Sequence, residues 1–331
     1  MKARLQRNNV QESSGKRKKL VSIFSDYGIF FVLLFLVILL SIARPNFLRP
    51  QNIMNVLRQI SINGLLSIGM TFVILTGGID LSVGSILAFG GVIAASLASD
   101  AMGGSVQSPY VAAMAALLAG LLLGSFNGLL VSKMRLPPFV VTLGMLSMAR
   151  GFTFIYTDGM PIPRIDKNFL FFGQGVFLGI PFPVIIFAIV FLISWIVLNK
   201  TRYGRYVYAV GGNEKSAKVS GVNTKLIIYS VYAISGVLSA LGGIILTART
   251  TAGLPQAGQS YELDAIAAAV IGGTSMSGGR GVLSGTLIGA LLIGVINNGL
   301  DLLGVSSYFQ QVVKGAIIVG AVLLDSLRKK D

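Results

Sequence analysis

The chain has 331 residues, of which 53% are hydrophobic and only 12% are charged, and its mean hydropathy is +0.78. Soluble domains usually carry about 25% charged residues, so this composition predicts a polytopic membrane protein. The absence of His and Cys excludes His-based acid–base catalysis, thiol nucleophiles, disulfides and His or Cys metal sites. We therefore expect no metal site and no enzymatic activity in this chain.

The net charge of +15 would suit a nucleic-acid-binding protein. The placement of the charge indicates otherwise, because Lys and Arg lie in short segments beside long apolar runs. In such positions they set membrane topology and meet anionic lipid headgroups. We expect no nucleic-acid partner.

Apolar runs of near-spanning length predict an all-α polytopic membrane protein with about ten transmembrane helices. The run 262–273 is too short to cross a bilayer alone at about 1.5 Å per residue, so it is either a half-helix or has a misplaced start. The outer loop 158–182 contains several prolines and is predicted to be irregular, with a short surface helix as an option. The predicted spans are 26–43, 57–76, 83–99, 109–132, 139–157, 183–199, 226–248, 262–273, 282–300 and 307–326.

The positions of Lys and Arg predict the orientation. With the N-terminus in the cytoplasm, the inner segments hold 19 of the 27 Lys and Arg residues and the outer segments hold five. Cytoplasmic loops are enriched in these residues, so both termini are expected in the cytoplasm. Residues 1–25 then form a cytoplasmic basic tail without a signal-peptide cleavage motif. Residues 26–331 form one transmembrane domain, with a cytoplasmic loop at 200–225.

Two inner segments share one glycine pattern. Residues 77–84 and 272–279 both read Gly-Gly-x-x-x-Ser-x-Gly. Corresponding Gly-interrupted segments in two parts of a transporter indicate a translocation path, although tight helix crossings or inner turns would produce the same pattern. The two elements run in the same direction, so they do not by themselves establish an inverted repeat. The path candidates are Thr76, Gly77, Gly78, Asp80, Ser82, Gly272, Gly273, Thr274, Asn297 and Asn298.

Several polar residues inside or beside the spans have two possible roles. Asp80 is a functional candidate because a carboxylate at membrane depth is costly, but we favour a capping role for Asp80 or Ser82 at the helix that follows. Asn297 and Asn298 either line a polar path or hydrogen-bond neighbouring helices. Lys314 lies inside the last span and is predicted to snorkel or to pair with an acid.

The outer stretch 249–264 is polar and runs into the short apolar run. It is either part of a docking surface for an external partner or a solvated loop. The external docking candidates are Tyr261, Glu262 and Asp264.

The chain contains no Gly-x-x-x-x-Gly-Lys-Ser/Thr phosphate loop, and its spans carry few acids and no His. We therefore expect neither ATP hydrolysis nor a proton relay, and a transporter of this kind must take its energy from a partner. The basic segment 213–225 suits that contact, because Asn213 can cap a short surface helix and Gly221 can end it. The residues predicted to couple to the partner are Asn213, Glu214, Lys215, Ser216, Ala217, Lys218, Val219, Ser220 and Gly221.

Several stretches resemble motifs of the monosaccharide ABC importer permeases. One reads Val-Ile-Leu-Thr-Gly-Gly-Ile-Asp-Leu-Ser-Val-Gly-Ser at 73–85, and another reads Tyr-Glu-Leu-Asp-Ala-Ile-Ala-Ala-Ala-Val-Ile-Gly-Gly-Thr at 261–274. Residues 201–214, 220–223 and 297–308 extend the likeness, in order, over most of the chain. The resemblance is strongest to the members that transport ribose.

The resemblance implies a fold like that of the cobalamin importer permease, and a homodimer with the solute path at or near its interface. It implies separate ATPase subunits at the cytoplasmic face, which bind ATP and Mg, so no cofactor is expected in this chain. It also implies an extracytoplasmic sugar-binding protein, a place in the bacterial cytoplasmic membrane, and a coupling helix at Asn213–Gly221. A self-sufficient secondary sugar carrier or facilitator is the main alternative, and a membrane scaffold that moves no solute is a second one.

Overall fold

The computed structural model of the protein describes residues 28–328, so the predicted basic tail lies outside the described residues. Within this range the chain forms α-helices joined by short connections and one small β-hairpin, β1 (Val176–Phe177) and β2 (Ile180–Pro181). The helices are α1 (Gly28–Ala43), α2 (Pro50–Leu75), α3 (Val83–Leu97), α4 (Pro109–Ser132), α5 (Pro138–Thr157), α6 (Lys167–Gln174), α7 (Phe182–Lys200), α8 (Arg202–Gly212), α9 (Glu214–Val219), α10 (Thr224–Thr250), α11 (Tyr261–Ile271), α12 (Leu283–Leu302) and α13 (Ser307–Arg328).

Each of the ten predicted apolar segments coincides with one helix, namely α1 to α5, α7 and α10 to α13. Six of the described helices are long and apolar enough to cross a membrane: α2, α4, α5, α7, α10 and α12. The helices α1 and α3 are apolar but shorter, and α11 has only 11 residues. The polytopic helical architecture is thus confirmed.

Helix α10 lies at the centre of the bundle and packs against α2, α3 and α4. Its contact with α4 depends on glycine, because a Cβ atom at Gly120 or Gly124 would overlap backbone atoms of α10 around Gly236 and Tyr232. Small residues allow helix backbones to approach closely in membranes, where packing rather than water exclusion drives association. The outer helices face away from this core: 83% of the apolar window of α2 is buried, but only 22% of that of α7.

The connections between helices gather at two faces. On one face, which we call the α9 face, the turn after α2, the α4–α5 connection and the start of α9 line one cavity. The loop 272–282 joins them there, since the Gly279 N–H donates to the Leu75 carbonyl at 2.9 Å. On the opposite face, Ile162 and Gly253 exchange two backbone hydrogen bonds of 2.9 Å. Segments that were predicted to lie on the same side of the membrane are thus found at the same face of the bundle.

The loop 158–181 lies on the opposite face and contains α6 and the β-hairpin. Asp166 caps α6 by accepting a hydrogen bond from the Asn168 N–H at 2.9 Å. The hairpin turns at Leu178 and Gly179, which both have positive φ, as two-residue hairpin loops require. The predicted short surface helix in this loop is therefore confirmed.

Candidate functional site

The predicted coupling segment folds into the short surface helix α9. The Asn213 side-chain oxygen accepts from the Ser216 N–H at 2.9 Å and caps the helix, and Glu214 lies in its first turn. Gly221 follows its end with φ +86°, a conformation that glycine adopts without strain, and the Val222 N–H returns to the Ala217 carbonyl at 3.1 Å. The predicted cap and stop are confirmed.

Helix α9 presents nearly all of its side chains to the outside. Only Ala217 is buried, whereas Val219 is 90% exposed. Glu214 ties the helix to the start of α10, because its Oε1 accepts from the Thr224 hydroxyl at 3.1 Å. The first residue of α9 is therefore fixed to α10, and the outward-facing side chains of α9 are exposed.

Helix α8 connects α9 to the turns that follow α2 and α11. The Tyr208 hydroxyl donates to the Gly281 carbonyl at 3.0 Å, and burial raises the pKa of Tyr208, which keeps the hydroxyl protonated as a donor. Gly211 lies against the carbonyl of Leu75 and the N–H of Gly279, and a Cβ atom there would overlap the carbonyl oxygen. A displacement of α9 would therefore reach both turns through direct backbone contact.

The two glycine turns have the same backbone geometry. Their structural alignment, however, differs by one residue from the alignment that the sequence pattern suggested. Gly77 and Gly273 have positive φ values of +82° and +90°, and each donates its N–H to the carbonyl three residues earlier. The next residue, Gly78 or Thr274, bonds five residues back in both cases. Both turns thus end a helix in the same way. The sequence pattern had aligned Gly77 with Gly272, one residue away from the structural match.

A cavity of about 450 Å³ lies between α9 and the first of these turns. Its lining is polar at the α9 side, with more basic than acidic side chains. The lining includes Thr76, Gly77, Gly78, Arg135, Glu214, Lys215, Lys218 and Tyr232. Three of the predicted path candidates and part of the predicted coupling segment therefore share one cavity.

Asp80 is fully buried, with 0% exposure, just beyond the first turn. Its Oδ1 accepts from the N–H and the hydroxyl of Ser82, and its Oδ2 accepts from the Ser235 hydroxyl at 2.8 Å. Asn127 donates to the Ser82 hydroxyl at 2.9 Å and extends the network to α4. Ser82 precedes α3, but its side chain makes no capping bond. Capping by Ser82 is therefore wrong, whereas Asp80 fulfils the expected role in part, because its carboxylate accepts the Ser82 backbone N–H at 3.0 Å where α3 begins.

Asp264 is also buried, with 2% exposure, and it joins four helices. Its Oδ2 accepts from Lys314 Nζ on α13 at 2.9 Å and from Asn297 Nδ2 on α12 at 3.2 Å. Asn63 Nδ2 on α2 completes the set at 3.5 Å. Lys314 does pair with an acid, as one of its two predicted roles required. We call Asp264, Asn63 and Asn297 the Asp264 cluster.

The position of Asp264 corrects one docking prediction. The connection 251–260 folds inward, so that Gly258 packs against Gly84 at the start of α3. Helix α11 therefore begins within the bundle, and the Asp264 carboxylate is not available to an external partner. Sequence proximity to a polar loop suggested the wrong environment for this residue.

The other docking candidates, Tyr261 and Glu262, are half-buried at the start of α11. Glu262 interacts electrostatically with Arg150 on α5. The Arg150 guanidinium donates to the carbonyls of Pro255 and Ala257, both at 2.7 Å. Arg150 thus fastens the inward-folded connection to α5.

The path candidates fall into separate groups. Thr76, Gly77 and Gly78 line the cavity, Asp80 and Ser82 belong to the first buried network, and Asn297 belongs to the Asp264 cluster. Asn298 forms a reciprocal amide pair with Asn52, with both bonds at 2.9 Å, as the helix-bonding alternative predicted. Gly272, Gly273 and Thr274 form the end of α11 and its turn. Three further polar residues of these networks were not predicted, although each is a polar side chain within an apolar span: Asn63, Asn127 and Ser235.

The helical membrane architecture and the surface helix α9, linked to interrupted helices, define a polytopic protein of the transport-permease class. A comparison with protein families agrees. The profile described as "Branched-chain amino acid transport system / permease component" matches residues 52–322. The chain belongs to this permease family.

Comparison with curated proteins finds relatives over nearly the full length. The chain is 50% identical to the ribose import permease protein RbsC of Bacillus subtilis, over 96% of this chain and 98% of that protein. It is 46% identical to RbsC of Escherichia coli K12, over 96% and 99% of the two chains. It is 42% identical to the D-allose transport system permease protein AlsC of Escherichia coli K12, over 96% and 97%. No solved structure matches the chain.

Proposed function

We propose that this chain is the membrane permease subunit of an ATP-driven importer and that its solute is a monosaccharide, namely ribose. The observation that carries the transport mechanism is the contact of the α8–α9 unit with both glycine turns, through Gly211 and Tyr208. A partner that moves α9 would thereby move the ends of α2 and α11 together. Rigid elements in direct contact are the usual means by which such movements are transmitted.

The assignment of ribose rests on the relatives. Two ribose import permeases share 50% and 46% of residues with this chain, and a D-allose permease shares 42%. The family profile is named for branched-chain amino acids, whereas the relatives that match over nearly the full length are named for sugars. Identity over nearly the whole length is the better guide to the solute class. Uptake assays with labelled ribose, allose and a branched-chain amino acid would test this assignment, and preference for either competitor would contradict it.

The energy source in this proposal is a separate ATPase at the α9 face, which binds ATP and Mg. A sugar-binding protein meets the opposite face. The α9 face is then cytoplasmic, the permease lies in the bacterial cytoplasmic membrane with both termini inside, and the chain itself is not an enzyme and holds no cofactor. Support comes from the exposed outer surface of α9 and from the excess of Lys and Arg in the segments predicted to be cytoplasmic.

We further propose ten membrane spans in one domain at 26–331, a fold like that of the cobalamin importer permease, and a homodimer with the solute path at or near its interface. The short helices α1, α3 and α11 would complete the spans together with their neighbours. Cysteine substitutions and labelling from either side of the membrane would test the topology, since the natural chain has no Cys. Cross-linking in membranes would test the dimer.

The coupling assignment is tested by two pairs of variants at α9. Glu214→Lys should separate ATP hydrolysis from uptake, whereas Glu214→Gln, which retains an acceptor for Thr224, should transport normally. Gly221→Val should also uncouple, because a β-branched residue at positive φ is strained, whereas Gly221→Asn should be tolerated. The measurement is ribose uptake and ATPase activity of the complex in proteoliposomes.

The result that contradicts the coupling assignment is normal transport by both Glu214→Lys and Gly221→Val. Lys133→Glu, a charge reversal at an exposed lysine that follows α4 and lies outside α9, is the control for a general effect of charge. Reconstitution of the permease without any ATPase tests the main alternative. Ribose uptake by the chain alone would favour a secondary carrier or facilitator.

A further inference from the structure

Ser132, the last residue of α4, is buried with 5% exposure, but its hydroxyl has no hydrogen-bond partner within residues 28–328. It lines the cavity beside α9 and also a smaller adjoining cavity of about 110 Å³. A buried hydroxyl usually bonds to another polar group, and a serine in a helix commonly bonds to a carbonyl of the preceding turn. The hydroxyl of Ser132 is instead free to bond to a ligand in these cavities.

The larger cavity also gathers cations that lack acidic partners. Arg135, Lys215 and Lys218 line it, and none of them forms a salt bridge in the described part of the chain. Lys215 and Lys218 are three residues apart on α9, so their side chains lie on the same face of the helix. Glu214 is the single acid among the described lining residues, so three cations and one carboxylate leave a net charge of +2. A cavity with this charge attracts anions.

The chemistry of this lining fits a phosphate group. A phosphate monoester carries about −1.5 to −2 charges at pH 7 and three oxygens that accept hydrogen bonds, which matches the net charge and the free donors of the cavity. A neutral sugar would leave the cations unbalanced. The volume of about 450 Å³ lies in the usual range of small-molecule pockets, roughly 300–1,000 Å³, so the cavity has room for the rest of a small ligand.

We propose that the cavity between α9 and the α4–α5 connection is a site for a phosphate monoester. Arg135, Lys215 and Lys218 pair with the phosphate in this site, and the Ser132 hydroxyl donates to one of its oxygens. Two sources offer this chemistry, namely a soluble phosphorylated sugar and a lipid with a phosphate monoester headgroup. The binding step does not depend on the proposed function.

A bound ligand would join α9 to the end of α4 and resist the movement of α9. This consequence rests on the proposed function, in which a partner moves α9 to drive uptake. A phosphorylated form of the imported sugar would then slow further import. The binding site and this restraint are tested by separate measurements.

The first test measures binding by calorimetry, with the purified full-length permease in a neutral detergent at physiological salt. We expect ribose 5-phosphate to bind and ribose not to displace it. Ser132→Ala should weaken this binding about tenfold, because it removes a hydrogen bond to a charged group. Arg135→Gln should weaken it at least about tenfold. Lys133→Gln is the matched control, since it removes a charge from the same connection but lines neither cavity.

The second test distinguishes the two sources of the phosphate. The permease is placed in phosphatidylcholine nanodiscs with either phosphatidic acid, a monoester lipid, or phosphatidylglycerol at equal total charge. If the lipid occupies the site, phosphatidic acid alone should abolish the binding of ribose 5-phosphate and should raise the unfolding temperature of the wild type more than that of Arg135→Gln. Equal binding in both discs would identify the soluble ester as the ligand. Each of these results supports a phosphate site.

The third test measures ribose uptake by the complex in proteoliposomes that contain ATP, with or without ribose 5-phosphate on the α9 side. The ester should slow uptake by the wild type and by Lys133→Gln, but should have little effect on Ser132→Ala and Arg135→Gln. Uptake without the ester tests the proposed function by itself.

The site would be disproved if neither ribose 5-phosphate nor phosphatidic acid bound. Binding of equal strength by the wild type, Ser132→Ala and Arg135→Gln would also overturn it, because the ligand would then lie elsewhere. Binding that left uptake unchanged would disprove the restraint on α9.

Discussion

Asp80 and Asp264 are two carboxylates with nearly the same burial, 0% and 2% exposed, but their environments differ in kind. Asp80 is held by hydroxyls and one backbone N–H, from Ser82 and Ser235. Asp264 is held by an ammonium and two amides, which come from three other helices. The first network consists of neutral donors, whereas the second balances one charge with another. Burial alone therefore does not show what a membrane-embedded acid does.

The difference between the two networks can be tested by making the same Asp→Asn substitution at Asp80 and at Asp264. Asn is nearly isosteric with Asp and removes the charge while keeping a side-chain acceptor. At Asp80 an amide can accept from the Ser82 N–H and donate to a serine hydroxyl, because hydroxyls rotate. At Asp264 the same change leaves Lys314 buried without a counter-charge. We therefore expect the two Asp→Asn variants to differ strongly.

The largest effect is expected for Asp264→Asn. The loss of one partner of a buried ion pair costs about 3–5 kcal/mol, because the other charge stays buried and unpaired. We expect a loss of this size in the free energy of unfolding of the purified permease. The double variant D264N/K314M should recover most of it, since neutral groups of similar volume often replace a buried pair without cost. A single variant as stable as the wild type would show that Lys314 reaches solvent.

A smaller loss is expected for Asp80→Ala. This change removes the acceptor for Ser235 and for the Ser82 N–H, and a buried donor without a partner costs about 1–3 kcal/mol. Chemical denaturation of the same preparation measures this loss. Because Ser82 also receives a hydrogen bond from Asn127, Asn127→Ala should weaken the same network, and the two losses should not be additive. Additive losses would mean that the two residues act separately.

Asn298→Ala provides a reference for a neutral pair between helices. It breaks the two 2.9 Å hydrogen bonds with Asn52 that join α12 to α2. Interhelical hydrogen bonds in membrane proteins contribute about 0.6 kcal/mol on average and up to about 1.7 kcal/mol. The unfolding transition should shift by that amount, with uptake unchanged. Loss of uptake at unchanged stability would instead support the prediction that Asn298 lines the translocation path.

The smallest effect is expected for Asp80→Asn. The stability should change by less than about 1 kcal/mol, the net contribution of one ordinary hydrogen bond. Ribose uptake should remain close to that of the wild type. If uptake were lost while stability was retained, the charge of Asp80 would have a role in transport, and its place among the path candidates would be supported.

The glycine turns show which features the sequence spacing could predict and which it could not. The shared pattern at 77–84 and 272–279 identified two related turns, and the structure contains both. The pattern aligned them one residue out of register, since Gly77 corresponds to Gly273 rather than to Gly272. The turn geometry depends on where each helix ends, which is set by backbone hydrogen bonds that the glycine spacing does not encode. Their contact with Gly211 was not predicted either.

The sequence by itself determined the features that depend on neighbouring residues. Apolar runs located the apolar helices of the bundle, and Asn213 and Gly221 set the limits of α9, because length, hydropathy and capping are local properties. Only the tertiary structure decided the environment of Asp264. Its partners lie 201, 33 and 50 residues away along the chain, and its burial depends on the close packing of Gly258 against Gly84. A carboxylate beside a polar loop has the same local sequence whether that loop folds outward or inward, so only the packing of the helices could place it.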